Sequence, residues 1–476
     1  MKRLVISLLI VFTVFSSAFA ADTHKNDPRR MTFPALSYQI PTAERVVLDC
    51  GIPVFLLRDS ELPIINLTAM IRTGSVYDPA DKSGLAGLTG SVMRSGGAGG
   101  TTPEKIDDEL EFIASSVESS IGKDMGSVTL ITLSRNFGRT LKVFGDVLLR
   151  PDFSPKRIEI ARKQMIEGLR RQNDDPKEVA GRELGKTLYK GHPLGAVPTF
   201  ASAQSITRQD MIDFHRRFFR VDNLMLAVSG DFERDEMIRQ LNALFGKTEK
   251  LESLKLPVIP QPEPAFTQEI LYGKKEASQS VIRMGHLGIT KDSPDIYAVR
   301  MLDYILGGSF TSRLMMEVRT NQGLAYNVGS HFDIGRLFTG SFVAETETKA
   351  ETTVKVISLM KEIITGITKE EVTDQELSAA REYIINSFMF GFTSPSAIVT
   401  QRARLEFYNY SPDYLEKYRD NIAKVSKADI LSAARKYLKP DQFKIVVIGD
   451  AAKFDKPLTE FGKVETLDMN QAAADR

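Results

Sequence analysis

An internal duplication is the feature that most constrains the fold. Residues 206–231 and 425–450 share a Ser/Thr-led helix start, a helical stretch and an apolar run that ends in Gly-Asp, and they lie 219 positions apart. The same offset relates Ser154-Pro155 to Thr373-Asp374. Chance matches would not share one offset across separate regions, and a repeat of about 200 residues is too long for a solenoid. We therefore predict two similar domains.

Each copy mixes short β-branched runs, such as Ile64 to Ile71, with helical patterns. One helix is predicted to start at a capping box formed by residues 101–104, with apolar residues recurring at helical spacing as far as Val117. This mixture predicts an α+β fold, in which each of two duplicated domains has a mostly antiparallel sheet covered by helices. The predicted divisions are a signal peptide (1–20), an N-terminal domain (35–250), a Pro-rich linker (251–267), a C-terminal domain (268–462) and a loose tail (463–476).

The first twenty residues have the pattern of an export signal. Lys2 and Arg3 precede an apolar run from Leu4 to Phe15, and residues 18–20 form a small-residue cleavage site. The run is shorter than the roughly 20 residues of a spanning helix. We predict an exported, periplasmic protein with no stable membrane span; retention of the segment as an anchor is the alternative. With 62 basic and 61 acidic residues, no overall charge favours nucleic acid as a partner.

The titratable residues give little sign of a catalytic centre. None of the five histidines lies within four residues of another, so the chain lacks a helical His-x-x-x-His zinc pair. A zinc site built from distant histidines stays open as an alternative. No Gly-x-Ser-x-Gly elbow occurs, and the glycine cluster 96–100 lacks the Lys-Ser/Thr of a phosphate loop. Cys50 is predicted to be a packed side chain, and as a lone cysteine it allows no internal disulfide.

Several segments of both copies resemble one enzyme family. Residues 73–79 read Thr-Gly-Ser-Val-Tyr-Asp-Pro, and residues 84–91 read Gly-Leu-Ala-Gly-Leu-Thr-Gly-Ser. This order is similar to that of the insulinase and pitrilysin zinc peptidases, in their processing-peptidase-like branch, where the second segment is Gly-Leu-Ala-His-x-x-Glu-His. Residues 191–195 and 306–326 fit the same order, so the resemblance covers approximately residues 35–460. It implies two peptidase-like domains that form half of a clamshell.

The zinc motif of that family is degenerate here. Gly87 and Ser91 occupy the two histidine positions, and Gly90 replaces the catalytic glutamate. In the reaction that the resemblance implies, a more distant glutamate completes the zinc site, and the zinc activates a water. Alternative alignments put Glu167 or Gly168 at that position, and we expect Glu167 to lie on an exposed helix face. We predict that this chain contains neither a metal ligand set nor a catalytic residue and cannot hydrolyse peptides alone.

Arg319 and Tyr326 form the part of the family pattern that is retained. Leu314 to Gln322 is predicted to be a helix that Gly323 ends with a left-handed cap, and this turn would bring Tyr326 back towards Arg319. The resemblance implies that this pair holds the substrate carbonyl against zinc bound in the first half, sometimes of a different chain. The alternative is structural: an arginine at a helix C-terminus and a half-buried strand tyrosine.

Three hypotheses follow, and they leave open whether this chain takes part in an enzyme. In the first, it is the substrate-binding subunit of a heterodimeric zinc peptidase and pairs with a zinc-bearing insulinase-like subunit. It then has no cofactor of its own and supplies Arg319 and Tyr326 to a peptide substrate. In the second, it is a non-enzymatic peptide-binding or structural scaffold protein of the cell envelope. In the third, it is an active metallopeptidase with a rebuilt site.

Overall fold

The duplication is visible as two lobes in the computed structural model, which describes residues 40, 42–246, 254–265 and 267–469. We call residues 42–246 the N-terminal lobe and residues 267–469 the C-terminal lobe. The predicted signal peptide lies outside the described residues. Within them, no helix is both long and apolar enough to cross a membrane.

The N-terminal lobe is built on a six-stranded sheet with the order β1-β2-β6-β3-β5-β4. Only the β2/β6 pair is parallel. Its strands are β1 (Glu44–Val47), β2 (Pro53–Arg58), β3 (Ile64–Ile71), β4 (Ser116–Ile121), β5 (Gly126–Leu133) and β6 (Leu224–Gly230).

The C-terminal lobe repeats this arrangement with the order β12-β7-β11-β8-β10-β9. Its strands are β7 (Glu269–Lys274), β8 (Gln279–Leu287), β9 (Ala325–Asp333), β10 (Ser341–Lys349), β11 (Lys444–Gly449) and β12 (Val464–Thr466). Strands β7, β11, β8, β10 and β9 correspond in order to β2, β6, β3, β5 and β4. The predicted α+β fold, with two duplicated and mostly antiparallel sheets, is confirmed.

Helices follow the strands in the same order in both lobes. In the N-terminal lobe they are α1 (Leu85–Ser95), α2 (Pro103–Phe112), α3 (Phe137–Leu149), α4 (Pro155–Arg171), α5 (Pro176–Leu188), α6 (Phe200–Ser205), α7 (Arg208–Phe218) and α8 (Arg234–Phe245). In the C-terminal lobe they are α9 (Ile296–Leu306), α10 (Thr353–Gly366), α11 (Asp374–Ser387), α12 (Pro395–Phe407), α13 (Tyr414–Lys424) and α14 (Lys427–Tyr437).

Matching capping boxes start α7 and α14, as the duplication predicts. Thr207 and Ser426 accept hydrogen bonds from the backbone N–H three residues later, and Asp210 and Asp429 bond back to the cap. Helix α2 begins within the predicted start segment, where Thr102 is the cap and accepts from the Lys105 N–H. It ends at Phe112, so the predicted helical run to Val117 was too long. The chain reverses at Ala114, which has a positive φ of 49°, and Val117 lies in β4.

The C-terminal tail required a second correction. Residues 463–476 were predicted to be loose, yet Val464–Thr466 form β12 and pair in parallel with β7. Leu467 donates a backbone hydrogen bond to Tyr272, and the Met469 carbonyl accepts one from the Asn173 side chain. Strand β12 joins the sheet through its backbone, which can pair whatever its side chains are. The sequence therefore contains no apolar repeat that would have predicted this strand. Residues 470–476 lie outside the described residues.

One helix of each lobe packs on the sheet of the other lobe. Helix α5 leaves the N-terminal lobe and packs Val179, Ala180 and Leu184 against Val281 and Val446 of the C-terminal sheet. In the same way, α12 of the C-terminal lobe packs on the N-terminal sheet through Val399, Ala403 and Phe407. The face that it covers is formed by Phe55, Met70, Met225 and Ala227. Both sheets are therefore buried on both faces, which explains why β6 and β11 are uninterrupted buried runs.

Polar contacts between the lobes lie around these helices. Glu406 near the end of α12 accepts two hydrogen bonds from Arg45, at 2.7 and 2.8 Å. The Tyr408 hydroxyl donates to Asp124 at 3.1 Å. Residues 254–265, the described part of the predicted linker, form neither helix nor strand. His192 binds this segment through its Nε2, which is 3.0 Å from the Pro260 carbonyl oxygen.

Candidate functional site

The degenerate zinc-motif positions lie on α1, whose start is fixed by Asp78. The Asp78 carboxylate accepts hydrogen bonds from the backbone N–H groups of Gly84 and Ala86, at 2.8 and 2.9 Å. Burial raises the pKa of Asp78 to about 6, although these backbone donors act in the opposite direction. Gly84 adopts a φ of 100°, a left-handed conformation that favours glycine. The Asp-Pro and Gly-Leu-Ala parts of the family pattern therefore form and orient this helix.

Gly90 brings α1 into close contact with β4. A Cβ placed on Gly90 would lie 2.6 Å from the backbone nitrogen of Ile121. Ser119 of β4 strengthens the contact by donating its hydroxyl to the Gly90 carbonyl at 2.6 Å. The helix therefore packs directly on the strand at the position of the family's catalytic glutamate. No side chain fits there unless the backbone moves.

The other motif positions do not form a metal site. Gly87 and Ser91 are exposed, and a Cβ on Gly87 would meet no atom within 4 Å. Glu167 lies on the exposed face of α4, as expected, and pairs with Arg170. Nowhere in residues 42–246, 254–265 and 267–469 do three His, Cys, Asp or Glu side chains cluster as metal ligands. Two glycines and a serine do not fit the zinc that the family motif holds.

Three of the described histidines, His192, His215 and His286, are buried and make structural contacts, whereas His331 is exposed. His215 lies 2.9 Å from the Leu148 carbonyl, and His286 accepts a hydrogen bond from the Lys439 backbone N–H at 3.1 Å. Burial lowers the pKa of each imidazole to about 4, which keeps both rings neutral at pH 7. Cys50 is free and packs against the N-terminal core.

Arg319 lies in an irregular helical segment that follows α9. Residues Met315–Asn321 form a π-helix, a form with one extra residue in the turn that often occurs at functional sites. Leu314 and Val318 are fully buried and hold this segment on the C-terminal core. Arg313 pairs with Glu376 through two hydrogen bonds of 2.7 and 2.9 Å. The base of the segment is therefore fixed, while Arg319 lies on its outer side.

Tyr326 lies at a second irregularity, a β-bulge. The Gly323 N–H donates to the Arg319 carbonyl at 3.1 Å, and Gly323 has the left-handed φ of 61° expected for a helix cap. In the following strand, Ala325 pairs with Thr348 and Val328 with Thr346, so Tyr326 and Asn327 both lie opposite Glu347. The extra residue breaks the in–out alternation, and both side chains point to solvent.

Together these irregularities create an exposed cluster of Phe310, Arg319 and Tyr326, which we call the Arg319 cluster. The Arg319 guanidinium carbon lies 4.7 Å from the Tyr326 ring centre and 5.9 Å from that of Phe310. Tyr326 is 82% exposed and Phe310 is 77% exposed. Among the described residues no carboxylate forms an ion pair with Arg319, since nearby Glu317 accepts from Asn321 and Gln322. One guanidinium nitrogen makes a long contact of 4.0 Å with the Met315 sulfur, a weak acceptor. The other guanidinium N–H groups and the phenol can donate hydrogen bonds to a carbonyl or carboxylate oxygen.

Sequence reasoning placed Arg319 and Tyr326 near each other but missed three features of the site. It anticipated neither the π-helix nor the β-bulge, because neither leaves a mark in apolar spacing. It also missed Phe310, whose neighbours Ser309 and Thr311 suggest only a polar turn. An exposed phenylalanine becomes informative only once its neighbours in space are known.

Two models of one peptidase family match the chain. Residues 54–198 match the model described as insulinase (peptidase family M16), and residues 205–384 match the model described as the peptidase M16 inactive domain. The chain therefore belongs to the insulinase (M16) peptidase family.

Two bacterial relatives are similar over most of their length. The Helicobacter pylori protein described as the non-peptidase homolog YmxG is 25% identical over 345 residues, which cover 71% of this chain and 77% of that protein. A Bacillus subtilis protein described as the uncharacterized zinc protease YmxG is 21% identical over 406 residues, or 84% of this chain and 96% of that protein. With its degenerate motif, this chain is an inactive M16 homologue.

Solved structures share the fold. The structure described as the peptidase M16 inactive domain from Pseudomonas fluorescens matches with a TM-score of 0.79 at 28% identity, covering 87% of this chain and 100% of that one. The periplasmic protease PqqL from Escherichia coli matches with a TM-score of 0.72 at 13% identity, covering 88% of this chain and 48% of that one. The second similarity supports the fold alone.

Proposed function

We propose that this chain is the substrate-binding subunit of a heterodimeric zinc peptidase. The other subunit carries His-x-x-Glu-His and the zinc, and this chain presents Arg319 and Tyr326 to the peptide. The observation that carries the proposal is an asymmetry between the lobes. In the N-terminal lobe, Gly90 packs where the catalytic glutamate would be; in the C-terminal lobe, the Arg319 cluster is exposed and held by a fixed base.

The chemistry of the cluster suits a substrate contact. The planar guanidinium offers several N–H donors, and the Tyr326 hydroxyl offers one more to the same oxygen. Donors aimed at an oxygen that gains negative charge stabilise the transition state of peptide hydrolysis. Stacking of Arg319 on two rings reduces the conformational freedom that a lone arginine would lose on binding.

The test is an assay of the two subunits together. The purified chain is mixed with an M16 subunit that carries the intact motif, and kcat/KM for a peptide is measured for wild type, Arg319→Ala and Tyr326→Phe. We expect Arg319→Ala to lower kcat/KM by about 10²- to 10³-fold, the usual loss when one oxyanion donor is removed. Arg239→Ala is the matched control, because Arg239 is an exposed arginine on α8.

Two outcomes would contradict the proposal. One is a complex that assembles with Arg319→Ala, as shown by sedimentation, and cleaves peptide at the wild-type rate. The other is chelator-sensitive cleavage by this chain alone, which would revive the rebuilt metallopeptidase. Stoichiometric zinc in the purified chain would also support the rebuilt metallopeptidase.

The proposed site of action is the periplasm. Residues 1–20 supply the sequence argument for export. Comparing the mass of the mature N-terminus from a periplasmic extract with that from a membrane fraction distinguishes cleavage after residue 20 from a retained anchor.

A non-enzymatic peptide-binding scaffold is the second candidate. Strands β4 and β9 each lie at one edge of their sheet, with β1 and β12 at the opposite edges, and an extended peptide can add to such an edge. Part of the β9 edge is already occupied, since Asp303 accepts the Phe332 N–H at 2.9 Å. If the chain is such a scaffold, peptide binds to it without a partner subunit. Tyr326→Phe then leaves peptide hydrolysis unchanged in a mixture of this chain with a zinc-bearing M16 subunit. Calorimetry with the isolated chain separates the two candidates.

A further inference from the structure

A second cavity-forming region lies far along the chain from the zinc-motif helix. A cavity of about 750 Å³ opens between α9, α12, α13 and residues 388–394 of the C-terminal lobe. Neither the Arg319 cluster nor α1 contributes to its wall. Its size is that of a pocket for a small organic ligand or a few residues of peptide.

Arginines and tyrosines dominate the wall of this cavity. Arg300, Arg336 and Arg404 line it, and no acidic residue is among the described residues of the wall. Two carboxyl groups lie behind the wall: Asp303 acts on Arg300, and Asp124 is bonded to Tyr408. Among the described residues none of these three arginines forms an ion pair, and the buried Arg300 Nε has no hydrogen-bond partner. Three guanidinium groups that form no ion pair make the wall of the cavity positively charged, which favours the binding of an anion.

Aromatic rings hold two of the arginines in position. The Arg300 guanidinium carbon lies 5.7 Å from the Tyr418 ring centre, and that of Arg336 lies 5.1 Å from the Tyr408 ring centre. Tyr408 is itself fixed by its hydrogen bond to Asp124 of the other lobe. Tyr418 stacks on Phe388 with ring centres 4.9 Å apart. The wall therefore combines fixed cationic groups with ring faces for an apolar group.

Helix α12 adds polar donors on the same side. Ser396 and Thr400 of its first turns line the cavity, with Arg404 one turn further on. A helix N-terminus carries partial positive charge, and α12 is long enough, at 13 residues, for that charge to matter. Val399 and Ala403 on the opposite face of α12 pack on the N-terminal sheet, so the donors are rigidly placed.

We propose that this cavity is a binding site for an oxyanion attached to an aromatic or apolar group. The oxyanion lies among Arg300, Arg336 and the start of α12, and the apolar part lies against the tyrosine and phenylalanine rings. A peptide C-terminal carboxylate and an aryl phosphate share this chemistry. The proposal does not depend on the heterodimer or on peptide hydrolysis.

The experiment measures binding to the full chain by isothermal titration calorimetry. Four probes are used: N-acetyl-Phe-Phe with a free carboxylate, its C-terminal amide, phenyl phosphate and inorganic phosphate. We expect a free-carboxylate or aryl-phosphate probe to bind, and the amide to bind at least tenfold more weakly, because the charge-assisted hydrogen bonds are lost. The source of the oxyanion is given by whichever of the two charged aryl probes binds more tightly.

Variants connect the binding to the cavity. Arg336→Gln with Arg404→Gln removes two exposed guanidiniums without opening the core, and it should weaken the preferred probe tenfold or more. Arg300→Gln tests the buried group, with its fold checked by circular dichroism. Arg239→Gln is the control and should bind as wild type does. Equal binding of the amide and the acid, wild-type affinity in the double variant, or no binding of any aryl probe would overturn the proposal.

Discussion

Gly87 and Gly90 lie one turn apart on α1 and meet different surroundings. A side chain at Gly87 would point into open space, whereas one at Gly90 would collide with the backbone of β4. Two glycines that look alike in the sequence therefore have different physical roles. The first is a helix position without a side chain, and the second is a packing contact.

This difference predicts opposite effects of the same substitution. Gly87→Ala should stabilise the protein by up to about 1 kcal/mol, because alanine favours a helix over glycine. Gly90→Ala should destabilise it by about 1–3 kcal/mol, because α1 must move away from Ile121. Urea denaturation of both variants measures the two free energies of unfolding. Equal effects would show that α1 does not pack on β4 as described.

Asp303 makes stability depend on pH. Burial raises its pKa to about 7, from an ordinary value near 3.8, although its hydrogen bond from the Phe332 N–H opposes this shift. The folded state therefore holds this proton more tightly than the unfolded state. The stabilisation is complete below about pH 4 and is lost as the pH rises to about 7.

The corresponding variant is Asp303→Asn, which keeps the acceptor and cannot ionise. Relative to the variant, wild type should lose a few kcal/mol of unfolding free energy between pH 4 and pH 8. The buried His215 and His286 have the opposite pH dependence, but they are present in both proteins and cancel in the difference. Asp108→Asn, at an exposed position on α2, should show no such trend. A pH-independent difference would rule out a raised pKa at Asp303.

Among the elements, α5 and α12 hold the two lobes together, because each covers the sheet of the other lobe. Ala180 and Ala403 are fully buried on these helices, and their small side chains allow close approach to the strands. Larger residues at either position would force the helix off the sheet.

We predict that Ala180→Leu and Ala403→Leu each cost about 1–3 kcal/mol of unfolding free energy. Ala201→Leu, at an exposed position on α6, is the matched control and should change it by less than about 0.5 kcal/mol. Denaturant titration followed by circular dichroism measures all three. If both buried variants matched the control, the helices would not pack as closely as the structure indicates.

At the scale of the whole molecule, the exchange of helices makes the lobes interdependent. Each sheet would lose the cover of one face if the other lobe were removed, so neither lobe has a complete core of its own. The two lobes should therefore unfold together, although the sequence divides into two copies.

A protease site introduced into residues 254–265 tests this interdependence. After cleavage, the two fragments should stay together on size exclusion and should melt in a single calorimetric transition. Separate expression of either fragment should give aggregated protein, because an apolar sheet face is exposed. Two well-separated transitions in the uncut chain would show that the lobes are independent domains.

The sequence was sufficient for much of this architecture and for less of the site. Capping residues such as Thr207 and Ser426, and buried runs such as β6, act locally and could be predicted. The exchanged helices could not, because nothing in the α5 sequence says which sheet its apolar face meets. The bulge at Tyr326, the tail strand β12 and the arginine cavity likewise depend on residues distant in sequence.

The contact at Gly90 also bears on how such a chain could change over time. Histidines could enter at Gly87 and Ser91 one codon at a time, since both are exposed. A carboxylate at Gly90 would instead require α1 to move away from the backbone of β4. Restoring the family's zinc motif in this chain would therefore take a backbone shift as well as three substitutions.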